Sequence, residues 1–243
     1  MHLTDRIIVT GANSGLGKCI ADLDDSFIKL TRSNRKKIMN NFYNESSTVI
    51  IHCAFNNSID VKDYYQYVDD NILLTEELTS LPHRKFIYLS SINVYREEDS
   101  AHKLSKLFAE SIVNTEATNP LVIRSSAMLG KTMRYNSFLK ILKEQNPTLS
   151  LSEKSSFNYV LQKDLASFIL KSIKTDIVGT YNFTSRGNIT LKKLSDLFGT
   201  KPKFGNYIYD TPEVDSGELK KYCGFVNKSC IDVIKEFRTN YEY

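Results

Sequence analysis

One eight-residue stretch, Thr10-Gly11-Ala12-Asn13-Ser14-Gly15-Leu16-Gly17, restricts this chain more than any other. It follows the β-branched run Arg6-Ile7-Ile8-Val9-Thr10 and leads into a short helical stretch. Glycine at such a place lets the chain reverse sharply, lets backbone N–H groups approach a ligand with no Cβ between, and lets a helix pack closely on a strand. Free N–H groups at the start of a helix suit a pyrophosphate, so the turn reads as a nucleotide site. Glycine-rich turns also serve as plain strand-to-helix connections, and the wider pattern must decide.

That pattern is a succession of strands and crossover helices. Further β-branched runs occur at Phe27–Thr31, Thr48–Ala54, Lys85–Ser90 and Pro120–Arg124. Several lack clean alternation, as expected of parallel strands covered on both faces. Helices are expected over 35–45, 63–80 and 102–114. In the last, Leu104, Leu107, Phe108 and Ile112 form an apolar stripe, with Asp99 or Ser100 as N-cap. Later, 133–145 and 163–174 read as helices, the second starting near a capping Asp164, and Thr180–Thr184 reads as a strand. Helices over 190–198 and 229–238 each open on a hydroxyl cap. The fold class is therefore α/β, a Rossmann-like doubly wound parallel sheet with a small C-terminal lobe. The expected division is a dinucleotide-binding core over 1–126 and a mainly substrate-binding lobe over 127–243, some of whose segments return to the core.

Composition removes other classes. The 243 residues carry 32 Lys and Arg against 28 Asp and Glu, a net charge of +4 spread along the chain, which calls for neither nucleic acid nor an anionic membrane. No apolar run is long enough to span a bilayer and the N-terminus lacks a signal-peptide layout, so a cytoplasmic protein is expected. The four cysteines, Cys19, Cys53, Cys223 and Cys230, are too scattered for metal-ligand pairs and are expected to be reduced. The four histidines do not pair at ligand spacing either, so no metal is expected, and His52 reads as a core residue. Ser90-Ser91 is not in a nucleophile elbow.

The leading Thr-Gly and the Gly-x-x-x-Gly-x-Gly spacing resemble the short-chain dehydrogenase/reductase superfamily. Val49–Phe55, Phe86–Tyr95 and Leu121–Gly130 resemble its fourth strand, its "SSxxVY" strand and its sixth strand with the following loop. Phe157–Ala166 and Gly179–Phe183 resemble the extended branch, which includes the NAD(P)-dependent epimerases and dehydratases of nucleotide sugars. The resemblance implies cofactor contacts from Gly11, Asn13, Ser14, Gly15, Leu16 and Gly17, and from Cys53, Ala54 and Phe55 at the end of the third strand. At the second strand end, Thr31-Arg32-Ser33-Asn34-Arg35 offers Arg32 and Ser33 and no carboxylate for a ribose 2′-OH. NADP is expected in preference to NAD.

In this family a Ser, a Tyr and a Lys serve hydride transfer, the last two one helical turn apart. Ser91 falls in the serine position, Lys106 matches the lysine and Asn71 matches an asparagine of the preceding helix, so these join the catalytic set. The segment His102–Glu110 fits "Y-x-x-S-K-x-x-A-E" except at its first position, where His102 stands for the tyrosine. Three accounts stay open. Imidazole replaces phenol as the proton-exchanging group; or another tyrosine, such as Tyr95 or Tyr135, takes the role; or the redox step is lost. The function implied is an NADP(H)-dependent reductase or epimerase of a nucleotide-linked keto sugar. The alternative is a non-catalytic dinucleotide-binding protein. Lys131, Arg134, Lys154 and Arg186 are candidates for a substrate diphosphate, and 63–80 with 102–114 would form a homodimer interface as in relatives.

Overall fold

In a computed structural model of the chain, residues 6–40, 48–58 and 64–240 are described. The expected strands form, in order, β1 (Arg6–Thr10), β2 (Ile28–Leu30), β3 (Thr48–His52), β4 (Lys85–Ser91) and β5 (Pro120–Ser125). A sixth, β9 (Gly179–Phe183), completes one parallel sheet in the order β2-β1-β3-β4-β5-β9. Both faces of β3 are buried throughout, which is why its sequence is apolar without alternation. The sheet reverses direction of travel between β1 and β3, and strand ends at such a switch point open a crevice for ligand.

The helices α1 (Gly15–Ala21), α2 (Arg35–Asn40), α3 (Tyr64–Val68), α4 (Leu74–Thr79) and α5 (Ala101–Glu116) connect the first five strands. The rest of the helix expected over 35–45, and residue 63 of the one expected over 63–80, lie outside the described residues. Between α3 and α4 the chain makes one π-helical turn, Asp69–Leu73, which places Asp70 and Asn71 inward. Ser100 caps α5, its hydroxyl accepting from the Lys103 N–H.

The stripe read on α5 is not its core face. Leu104 and Phe108 are exposed, and the buried face is Ser105, Lys106, Ala109, Glu110 and Val113. Close packing against β4 takes small residues and a paired carboxylate there. Glu110 accepts a short bond from Ser90 and a forked pair from Arg124 of β5, so its charge is neutralised where it is buried.

In the second half, β6 (Ala127–Leu129) pairs with β8 (Tyr159–Leu161), and β7 (Ser156–Phe157) with β10 (Ile189–Thr190). Helices α6 (Ser137–Lys143), α8 (Leu191–Phe198) and α9 (Cys230–Asn240) surround a core containing Phe138, Tyr159, Leu194 and Phe237. Helix α7 (Gln162–Ile173) and β9 instead pack with Val9, Leu16 and Ile51 of the first half. The hydroxyls of Thr190 and Ser229 cap α8 and α9 as expected. Asp164 does not cap α7: the helix begins at Gln162 with Leu161 before it, and the Asp164 carboxylate accepts from Lys228 at 3.0 Å.

Candidate active site

The turn after β1 has the shape its glycines imply. Gly11 and Gly15 hold φ of +68° and +59°, where a side chain is strained. A Cβ on Gly11 would lie 2.9 Å from the Ala54 nitrogen, and one on Gly17 would lie 2.5 Å from the Gly11 carbonyl oxygen. Gly17 is thus a packing residue of α1 against β1, while a Cβ on Gly15 would stand in open space. Thr10 braces the turn. Its hydroxyl accepts from the N–H groups of Cys53 and Ala54 at 3.0 and 2.9 Å, so its own proton goes to Nδ1 of His52 at 2.7 Å. Nε2–H of His52 then donates to Thr75, whose hydroxyl donates to the Asn71 carbonyl. Burial depresses the His52 pKa to about 3, and His52 is the satisfied core residue expected.

From this turn a cavity of about 710 Å³ runs across the carboxyl ends of the strands. Asn13, Ser14, Leu16, Cys53, Ala54 and Phe55 all line it, as does Ser33. Burial pushes the Cys53 thiol up to about 12, so it stays protonated. Arg32 lines the far end, but it is not alone: its Nε and one terminal nitrogen fork onto the Asp70 carboxylate at 3.0 and 2.5 Å. Asp70 is nearly buried while the Arg32 side chain is 69% exposed, so the outer edge of the guanidinium faces solvent. The partner of Arg32 is therefore a carboxylate brought by the π-helical turn, which no local pattern announces. Arg35 is neutralised in the same way by Asp69 and Glu77.

At the other end, Ser91, His102 and Lys106 line one wall. The Ser91 hydroxyl accepts from the Asn93 N–H at 3.2 Å. Lys106 donates to the Leu89 carbonyl at 2.7 Å and lies over the rings of Phe55 and Tyr88, 4.3 and 4.7 Å from their centroids. Burial lowers its pKa to about 7. His102 packs edge-on to Phe55 at 4.8 Å, and burial together with the Lys106 charge lowers its pKa to about 4, so it is neutral at pH 7. Asn71 does not line the cavity. It is buried with both ends of its amide on Asn56, accepting from its N–H and donating to its carbonyl, so it positions the loop after β3.

Neither tyrosine considered as a replacement enters the cavity. The Tyr95 hydroxyl bonds Asn182 and Arg124, and the exposed Tyr135 bonds Glu144. Of the four candidate cations, only Arg134 lines the cavity, near the Ser14 hydroxyl. The loop carrying it is tied over the glycine turn: Gly15 N–H donates to the Thr132 carbonyl, and the Thr132 hydroxyl donates back to the Gly15 carbonyl. Sequence reasoning missed Asn93, Asp70, Tyr209 and Thr211, all of which line the cavity. Asn93 sat inside a recognised strand motif, whereas Tyr209 and Thr211 fall in a stretch with no periodicity. Among the described residues no cluster could hold a metal ion, and no helix is long and apolar enough to cross a membrane.

No known protein family matches the sequence, and no curated protein matches it. Solved structures do match its fold. UDP-glucuronic acid 4-epimerase from Bacillus cereus, solved with UDP-glucuronic acid and NAD, superposes with a TM-score of 0.75 at 16% identity, covering 97% of this chain and 100% of that one. dTDP-4-dehydrorhamnose reductase from Bacillus anthracis, solved with NADP, gives 0.77 at 19%, covering 98% and 100%. RMD from Pseudomonas aeruginosa, solved with NADPH, gives 0.74 at 17%, covering 98% and 100%. At these identities the likeness establishes the fold alone, a Rossmann-like parallel sheet with helices on both faces.

Proposed function

We propose that the cavity binds NADP(H) and that the chain is a reductase or epimerase of a nucleotide-linked sugar. The observation that carries this is the continuity of one cavity from the glycine turn and Arg32 to Ser91 and Lys106. The residues fit a dinucleotide, because Gly15 leaves open the space a Cβ would fill and Gly11 keeps the turn against the end of β3. The turn and Ser14 would hold the pyrophosphate, Arg32 and Ser33 the adenosine 2′-phosphate, and Lys106 the nicotinamide ribose. A bound nicotinamide supplies or accepts hydride. On the substrate side the Ser91 hydroxyl would fix the reacting oxygen, and neutral His102 would accept the carbinol proton as that carbon is oxidised, or, first protonated from solvent, would deliver it as imidazolium when a carbonyl is reduced. The similar structures solved with NAD, NADP and nucleotide sugars support this reading.

Titration calorimetry with NADPH and NADH tests the cofactor, and NADPH oxidation in the presence of a nucleotide-linked 4-keto sugar tests the reaction. Tighter binding of NADPH and turnover are expected. Absence of dinucleotide binding would refute the proposal. The lack of a phenol at position 102 favours a second reading, a non-catalytic dinucleotide-binding protein. Binding without turnover, in both native protein and His102→Tyr, would select it. The exposed Leu104 and Phe108 of α5, together with exposed Tyr64 and Leu73, support a homodimer through these helices. Sedimentation of native protein and Phe108→Glu checks it, the variant being monomeric.

A further inference from the structure

Tyr209 belongs to no sequence motif, yet among the described residues it is the only tyrosine lining the cavity. Its hydroxyl donates to Asn93 Oδ1 at 2.8 Å, and the Asn93 N–H donates to the Ser91 hydroxyl. One residue therefore links this phenol to the serine at the reacting end. The ring is firmly held: Phe157 stacks on it at 5.1 Å with planes 17° apart, and the Arg96 guanidinium lies 4.3 Å from its centroid. The backbone is held too, since its N–H donates to the Ser155 hydroxyl at 3.0 Å and its carbonyl accepts from the Ser156 N–H at 2.8 Å. Thr211, two residues on, lines the cavity as well.

A phenol fixed at ring and backbone has already lost its rotamer freedom, so a ligand contact costs little further entropy. With its proton on Asn93, the phenol oxygen still accepts. The Asn93 amide nitrogen, which has no partner among the described residues, still donates. An acceptor beside a donor matches a hydroxyl-bearing sugar carbon and its neighbour. The Asn93 link to Ser91 puts this pair at the reacting end of the cavity, where the sugar of the proposed substrate would lie.

We infer that Tyr209, with Asn93, reads the sugar ring of the ligand and is the specificity-determining residue contributed by the C-terminal half. The inference rests on the nucleotide-sugar function proposed above and adds the residue that recognises the sugar. Its test is calorimetry of the full chain saturated with NADP+, using UDP-glucose and UDP as probes. The native protein should bind UDP-glucose more tightly than UDP. Tyr209→Phe keeps the ring stack and should weaken UDP-glucose by about 3- to 10-fold, the worth of one hydrogen bond, leaving UDP and NADP+ within about twofold. Asn93→Ala should shift the same ratio in the same direction. An unchanged UDP-glucose affinity in Tyr209→Phe, or an equal loss for UDP, would overturn this role alone. A native protein that binds NADP+ but neither probe would overturn the substrate class and this role together.

Discussion

Lys106 donates its ammonium hydrogen to the main-chain carbonyl of Leu89 at 2.7 Å, so the cation at the proposed nicotinamide end is fastened to the very strand that carries Ser91. Its burial has a cost that depends on pH. Because the folded pKa is about 7, below the ordinary 10.5, the unfolded chain binds more protons between those values, and stability rises with pH across that window. Below about pH 7 the full cost of a buried charge is present. Lys106→Met should therefore be more stable than native by about 1–4 kcal/mol near pH 6, the gap closing at higher pH, while dinucleotide affinity is lost. Urea unfolding at several pH values measures the first effect, and calorimetry the second.

Acid should destabilise the protein earlier than its carboxylates alone would. His52 and His102 have folded pKa values of about 3 and about 4, both below the ordinary 6.5. As pH falls from 6.5 toward 4 the unfolded chain takes up two protons that the folded chain refuses, and stability falls by up to about 1.4 kcal/mol per pH unit for each. His102→Asn should halve this component of the slope between about pH 6 and pH 4.5, as read from urea midpoints.

The Arg32–Asp70 pair should set the choice between the two cofactors. Arg32→Ala is expected to weaken NADPH by about 10- to 100-fold, the worth of a charge-assisted bond, with NADH changed less than about threefold. Asp70→Asn frees the guanidinium and should strengthen NADPH relative to NADH. Equal losses for both cofactors in Arg32→Ala would assign the arginine a purely structural part.

The glycines of the turn should separate by role. Gly17→Ala drives a Cβ to 2.5 Å from a backbone oxygen and should cost about 2–3 kcal/mol of stability by overpacking. Gly15→Ala meets no atom and should cost about 1–2 kcal/mol through its positive φ, yet abolish dinucleotide binding by filling the cradle. Thermal unfolding with and without NADPH distinguishes the two.

What was legible in the sequence was local. The glycine turn, the β-branched strands and the hydroxyl caps Ser100, Thr190 and Ser229 each announce themselves within a few residues. The buried face of α5 is not legible in its apolar spacing, because burial there is set by Glu110 meeting Arg124 and Ser90 of the sheet. The sequence around Asp164 suggests a cap for the same reason: its partner, Lys228, is 64 residues away. Arg32 was seen without Asp70, and the site without Tyr209, since both partners arrive by tertiary folding. The resemblance of His102–Glu110 to a family motif points to His102 and Lys106, and the cavity wall brings them together with Ser91.

The Thr10 hydroxyl, which serves Cys53, Ala54 and His52 at once, couples two loops far apart in sequence. Anyone grafting this glycine turn onto another scaffold, or swapping in a foreign one, would be moving half of a joint. Positions 10, 52 and 75 would have to travel as a set, and homologues that alter one of the three should be found to have altered the others.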